Sequence, residues 1–111
     1  MDPDAGLMPG KGKTMTYRHI SLAEEGDFAV LTMRRPKSRN ALSEDHLREI
    51  LHGLRAIGDG GARGAIIAAE GPVFCAGHDF ADMEGRDLEG MRRLLGVCAD
   101  VMQTIQAIPS P

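Results

Sequence analysis

The residues with the greatest chemical reach sit in one short stretch, Gly71-Pro72-Val73-Phe74-Cys75-Ala76-Gly77-His78-Asp79-Phe80. It follows an apolar run and precedes a helical pattern. Small residues at Ala76 and Gly77 let a ligand approach the backbone closely. Backbone N–H groups near a helix start lack intrahelical acceptors and suit a developing oxyanion. On these residues alone, a plain strand-to-helix connection is an equal reading. Cys75, with His78 three positions on, has the residue types of a nucleophile and a base, but such pairs are normally assembled by the fold, and small-residue packing is the favoured reading of Cys75. Glu70 and Asp79 are the nearest carboxyls. Asp79 is expected to cap a short helix rather than to move protons. His46 and His52 are six apart, on different faces of a helix, and no metal site is expected.

A second cluster is basic: Arg34, Arg35, Lys37 and Arg39 fall within six residues. It would attract phosphates, although charge alone favours a solvated turn. Two look-alikes fail. Gly12-Lys13-Thr14 ends like a phosphate loop, but Leu7 stands where the first glycine is required and no strand precedes it. Gly58 to Gly64 is glycine-rich, but it lies between a helix and a strand, the reverse of a dinucleotide fingerprint.

The elements that must position these residues can be read from periodicity. Tyr17 to Ala23 and Phe28 to Met33 read as strands joined by a turn over Glu24-Glu25-Gly26-Asp27, a hairpin that ends before Pro36. Ser43 fits an N-cap, with Glu44 and Asp45 in the first helical turn. Leu47, Ile50, Leu51 and Leu54 follow on one helix face, and Gly58, Gly60 and Gly61 end it. Ala65 to Ala69 is a continuous apolar run that predicts a buried parallel strand. A second helix starts near Asp87, carries Met91, Leu94, Leu95, Cys98, Val101, Met102, Ile105 and Ile108 at helical spacing, and closes at Pro109. That stripe could be core or a dimer seam. Residues 1–15 have no apolar period and are expected to be a disordered tail, with Met15 as a candidate start. The pattern calls for another parallel strand after the second helix, so the chain is expected to be a fragment.

Composition excludes several classes. Of the 111 residues, 16 are acidic and 13 basic, a net charge of −3 that argues against general nucleic-acid binding. With three Phe, one Tyr and no Trp, there is no base-stacking platform. No apolar run is long enough to span a membrane. The N-terminus resembles neither a secretory signal nor a transit peptide, which makes the cytoplasm the expected compartment. The two cysteines, Cys75 and Cys98, have no CxxC spacing and are expected to be reduced.

Two segments carry a family resemblance. Phe74 to Met83, FCAGHDFADM, is similar to the oxyanion-hole loop of the crotonase (enoyl-CoA hydratase/isomerase) superfamily, and Arg35 to Leu42, RPKSRNAL, is similar to that family's R-P-x-x-x-N-A-L stretch. They occur in the family's order, and the resemblance runs from Tyr17 to Pro111. It implies an α/β fold, a crotonase-like ββα spiral incomplete at the C-terminal side, with residues 16–111 as its N-terminal part. It implies an acyl-CoA-transforming enzyme, first a 2-enoyl-CoA hydratase and second an isomerase. The backbone N–H of His78 would be one oxyanion donor. Ala76, Gly77, His78, Asp79, Phe80 and Ala81 would contact the acyl-CoA, with Arg35 and Lys37 towards its phosphates. No separate cofactor is implied, since coenzyme A is part of the substrate. A trimer or hexamer is the implied assembly. The second donor and the two catalytic glutamates would lie beyond Pro111, so the 111 residues alone are expected to have little activity. The alternative is a non-catalytic acyl-CoA-binding remnant or a small interaction module.

Overall fold

The computed structural model describes residues 16–109. The expected tail at 1–15, the candidate start at Met15 and the rejected Gly12-Lys13-Thr14 look-alike lie outside the described residues. In order, the elements are β1 (Ile20–Glu25), β2 (Phe28–Met33), a 3-10 turn (Pro36–Ser38), α1 (Glu44–Gly60), β3 (Gly64–Ala69), α2 (Phe80–Met83) and α3 (Leu88–Ala107). The strands form one sheet in the order β1-β2-β3. β1 and β2 are antiparallel, with Ile20 opposite Met33 and Glu25 opposite Phe28. β2 and β3 are parallel, with Phe28 opposite Gly64 and Met33 opposite Ala69. The expected strand–helix–strand unit is therefore β2-α1-β3.

Local chemistry sets the helix ends. The Ser43 side chain accepts from the His46 N–H at 3.1 Å, and Gly61, at φ 78°, closes α1 in a left-handed conformation. The Asp87 side chain accepts from the Gly90 N–H at 2.8 Å and starts α3. One face of α1 (Leu47, Ile50, Leu51, Leu54, Ile57) packs in a single core with Ile20, Leu22, Leu31 and Met33 of the sheet and Leu94, Val97 and Val101 of α3. Burying such a side chain stabilises by about 1.5–3 kcal/mol. The helix lies close on the sheet. A β-carbon on Gly53 would stand 3.0 Å from Leu31 Cδ1 and 3.1 Å from Ile20 Cδ1.

Three expectations need correction. β1 begins at Ile20 rather than Tyr17, because the Glu49 carboxylate takes the N–H groups of Arg18 (3.0 Å) and His19 (2.8 Å) out of any ladder. It then runs on through Glu24 and Glu25, leaving only Gly26-Asp27 as the turn. β3 is not buried on all sides: it pairs only with β2 among the described residues, and Ile66 is 45% exposed. The α3 stripe also divides. Leu94 and Val101 face the core together with Val97, which the stripe omitted, while Leu95, Met102 and Ile105 are exposed. Near the end of α3 lies an apolar cavity of about 130 Å³ bounded by, among others, Met33, Leu42, Ile67, Cys75, Met102 and Ile105.

Candidate active site

Two loops meet beyond the C-terminal ends of β2 and β3. The first runs from Arg34 to Ser43. Its Arg39 and Asn40 both have left-handed backbone, at φ 54° and 55°. Asparagine tolerates that conformation better than most residues. Asn40 is fully buried. Its Oδ1 accepts the Arg35 N–H at 2.8 Å, and its Nδ2 donates to Glu70 O and Val73 O, each at 2.9 Å. One side chain thus ties the first loop to the start of the second. Gly71 (φ 87°) passes under Pro36, where a β-carbon would come within 2.9 Å of Pro36 Cβ.

The second loop then pairs with the first. Ala76 N–H donates to Arg39 O at 3.0 Å, Leu42 N–H to Gly77 O at 2.8 Å, and Asp79 N–H to Leu42 O at 3.2 Å. Leu42 and His78 form a parallel bridge. In such a bridge one residue bonds the neighbours on either side of its partner, so the partner's own N–H and C=O face the other way. His78 is that partner. Its N–H has no acceptor among the described residues. Gly77, at φ 92°, has open space where a β-carbon would be. Ala76, Gly77, Phe80 and Ala81 are exposed, and His78 and Asp79 half-buried. The six residues form an accessible strip that contains the His78 amide and, at the first turn of α2, the Phe80 amide, neither with an acceptor among the described residues. The His78 Nδ1 is itself buried without a partner.

Asp79 caps α2 as expected, accepting from the N–H groups of Ala81 (3.0 Å) and Asp82 (3.2 Å) through Oδ1. Its Oδ2 pairs with Arg35 at 3.2 Å, both side chains being 17% exposed. Arg35 also donates to Ala41 O at 2.7 Å and Ser43 Oγ at 3.1 Å. The Arg35 guanidinium, expected towards the phosphates, is thus turned inward and bonded to both loops. Arg34 pairs with Glu70 at 3.2 Å. Lys37 and Arg39 are exposed.

Sequence reasoning missed the cluster that braces α2. Asp82 accepts from the Glu44 N–H and from Arg86, each at 2.9 Å. Glu44 in turn meets Arg48, Arg86 and Arg93. Burial alone would raise the Glu44 pKa, but the hydrogen bonds from Arg48, Arg86 and Arg93 outweigh it and hold the carboxyl at about 2. Glu44-Arg48, four apart on a helix, was visible in the sequence; the longer links were not. Glu70, Asp79 and Asp82, the acids nearest the loop, are thus all engaged with arginines. Among the described residues no three His, Cys, Asp or Glu side chains gather as a metal site. None of the described helices is long and apolar enough to cross a membrane.

A family model described as enoyl-CoA hydratase/isomerase matches residues 23–111. The zebrafish (Danio rerio) protein named enoyl-CoA hydratase domain-containing protein 3, mitochondrial, is 34% identical over 108 residues, covering 94% of this chain and 35% of the relative. The crotonyl-CoA hydratase of Syntrophomonas wolfei is 35% identical over 99 residues, covering 87% of this chain and 38% of the relative. Among solved structures, an enoyl-CoA hydratase from Mycobacterium smegmatis superposes with a TM-score of 0.81 at 32% identity, over 86% of this chain and 38% of that one. Human enoyl coenzyme A hydratase domain-containing protein 3 gives 0.79 at 29% identity, over 85% and 38%. The chain therefore spans a little over a third of the length of these relatives. With the match covering most of the chain and the fold shared, the protein belongs to the enoyl-CoA hydratase/isomerase (crotonase) family.

Proposed function

We propose that this chain supplies one half of a thioester-binding site in an acyl-CoA-transforming enzyme, with the His78 N–H as an oxyanion donor. The single observation that carries the reading is that amide: the Gly77 C=O and the Asp79 N–H on either side of it are bonded to Leu42, while the His78 N–H faces away from Leu42 with no acceptor among the described residues. Residues 76–81 form the strip along which the acyl-CoA lies, and Lys37 serves the phosphates. The substrate class is a 2-enoyl-CoA, with hydration as the first reaction and double-bond isomerisation as the second. Coenzyme A arrives as part of the substrate, and no separate cofactor is needed. A trimer or hexamer in the cytoplasm completes the reading, although the zebrafish relative's name places that protein in mitochondria.

A hydratase also needs a second donor and a group to deliver a proton. The acids around the loop are held by arginines, so the 111 residues alone should turn over crotonyl-CoA slowly or not at all. The same observation favours a second reading, an acyl-CoA-binding chain without catalysis. Titration of the purified chain with crotonyl-CoA tests the shared core of both. Binding should survive His78→Ala, which keeps the amide, and weaken about tenfold in His78→Pro, the loss of one hydrogen bond of about 1.4 kcal/mol. Absence of binding, or equal binding by both variants, would overturn it. Turnover of crotonyl-CoA separates the enzyme from the binding chain.

A further inference from the structure

We infer that Arg35 is a positioning residue that aims and polarises the His78 amide through two rigid peptide groups. The path is short and continuous. Arg35 Nη1 donates to Ala41 O at 2.7 Å. That carbonyl belongs to the Ala41–Leu42 peptide, whose N–H, on Leu42, donates to Gly77 O at 2.8 Å. That second carbonyl belongs to the Gly77–His78 peptide, whose N–H is the unengaged one. Each peptide is planar and trans, so holding its oxygen fixes the direction of its N–H on the opposite side. The direction of the His78 N–H is therefore set by Leu42, and that of Leu42 by what grips Ala41 O.

Arg35 grips it from a fixed fork. The same guanidinium donates to Ser43 Oγ at 3.1 Å and to Asp79 Oδ2 at 3.2 Å. Asp79 closes the frame from the other side, because its own N–H donates to Leu42 O at 3.2 Å. His46 Nδ1 lies 3.0 Å from Ala41 O and adds a second, uncharged hold. A chain of hydrogen bonds headed by a cation polarises every member in the same sense. The terminal N–H becomes a stronger donor than an isolated amide. A planar guanidinium can make these bonds together; a lysine ammonium on a flexible stem cannot reproduce the fork.

The inference rests on reading His78 as the oxyanion donor, but its test needs no thioester and so fails or stands independently. Amide hydrogen exchange and proton–nitrogen NMR spectra would be recorded on the ligand-free full chain. In Arg35→Met, the Leu42 N–H should exchange at least about tenfold faster, as expected of local opening, while the Leu54 and Ile57 amides of the α1 core change less than about twofold. The His78 amide proton should also move upfield as its polarisation is lost. Arg35→Lys, which keeps the charge, should fall between wild type and Arg35→Met, and it carries the test if Arg35→Met does not fold. If Leu42 exchange rises only in step with Leu54 and Ile57, or if the His78 proton does not move in either variant, the inference is overturned and Arg35 is a stabilising residue only.

Discussion

Asn40 joins two loops with three hydrogen bonds from a site with no exposure and a positive φ. Alanine there would leave the Arg35 N–H and two carbonyls seeking partners and would occupy the left-handed region at a cost. Asn40→Ala is expected to destabilise by about 3 kcal/mol in chemical denaturation, in the range for unsatisfied buried polar groups. At Gly77 the added β-carbon of Gly77→Ala meets nothing. The cost is backbone strain, about 1–3 kcal/mol at φ 92°, read as a lower melting temperature with the α1 core amides still protected. His46 titrates in a different sense. Burial chiefly lowers its pKa below 6.5, helped by the positive charge of Arg35 and by His19, against the raising effects of Ala41 O and Glu49. Its folded state prefers the neutral ring, so this contribution is full above pH 6.5 and is lost as pH falls through the lowered folded value. Glu44, at about 2 against 4.5, contributes above pH 4.5 and is lost between there and about 2. Melting temperatures followed from neutral to acid pH should therefore decline in two stages. His46→Gln should flatten the first stage and leave the second. A wild-type curve level from pH 7 down to roughly 5 would contradict this assignment.

At the scale of elements, α1 is held to the sheet through Gly53, and the packing there weighs two opposed effects. Gly53→Ala gains about 1 kcal/mol of helix propensity. Its β-carbon meets Leu31, Ile20 and Leu22 methyls at 3.0, 3.1 and 3.3 Å, and overpacking of this kind costs about 1–3 kcal/mol. A net loss of about 1 kcal/mol is expected on urea denaturation; a stabilised variant would mean that the methyl groups yield freely. What was legible in the sequence follows the same division between near and far. Ser43 and Asp79 act on N–H groups two or three residues away, so their caps could be read directly. The span of β2 could be read because its bounding turn and Pro36 are local. The Arg35–Asp79 pair and the bracing of α2 by Glu44 depend on partners 38 to 49 residues distant, and only folding brings those together. The apolar run of β3 correctly indicated a strand, but such a run cannot say how many neighbours a strand has. The β1 start was hidden for a similar reason, since Glu49 lies 30 residues from His19.

For the molecule as a whole, one core joins sheet, α1 and α3, and the two family loops meet beyond it as a single polar frame. That frame leaves the His78 backbone donor without an acceptor among the described residues and no carboxylate of Glu70, Asp79 or Asp82 free to serve it. Leu95, Met102 and Ile105 of α3 and Ile66 of β3 remain exposed. The most direct measurement is the carbonyl carbon resonance of [1-¹³C]crotonyl-CoA bound to the chain. A peptide N–H aimed at the thioester oxygen draws electron density from that carbon and shifts its signal downfield. The shift should appear with wild type and persist with His78→Ala, whose amide is intact, and it should vanish with His78→Pro. A bound signal unmoved from free crotonyl-CoA, or a shift retained when position 78 has no N–H, would contradict the account.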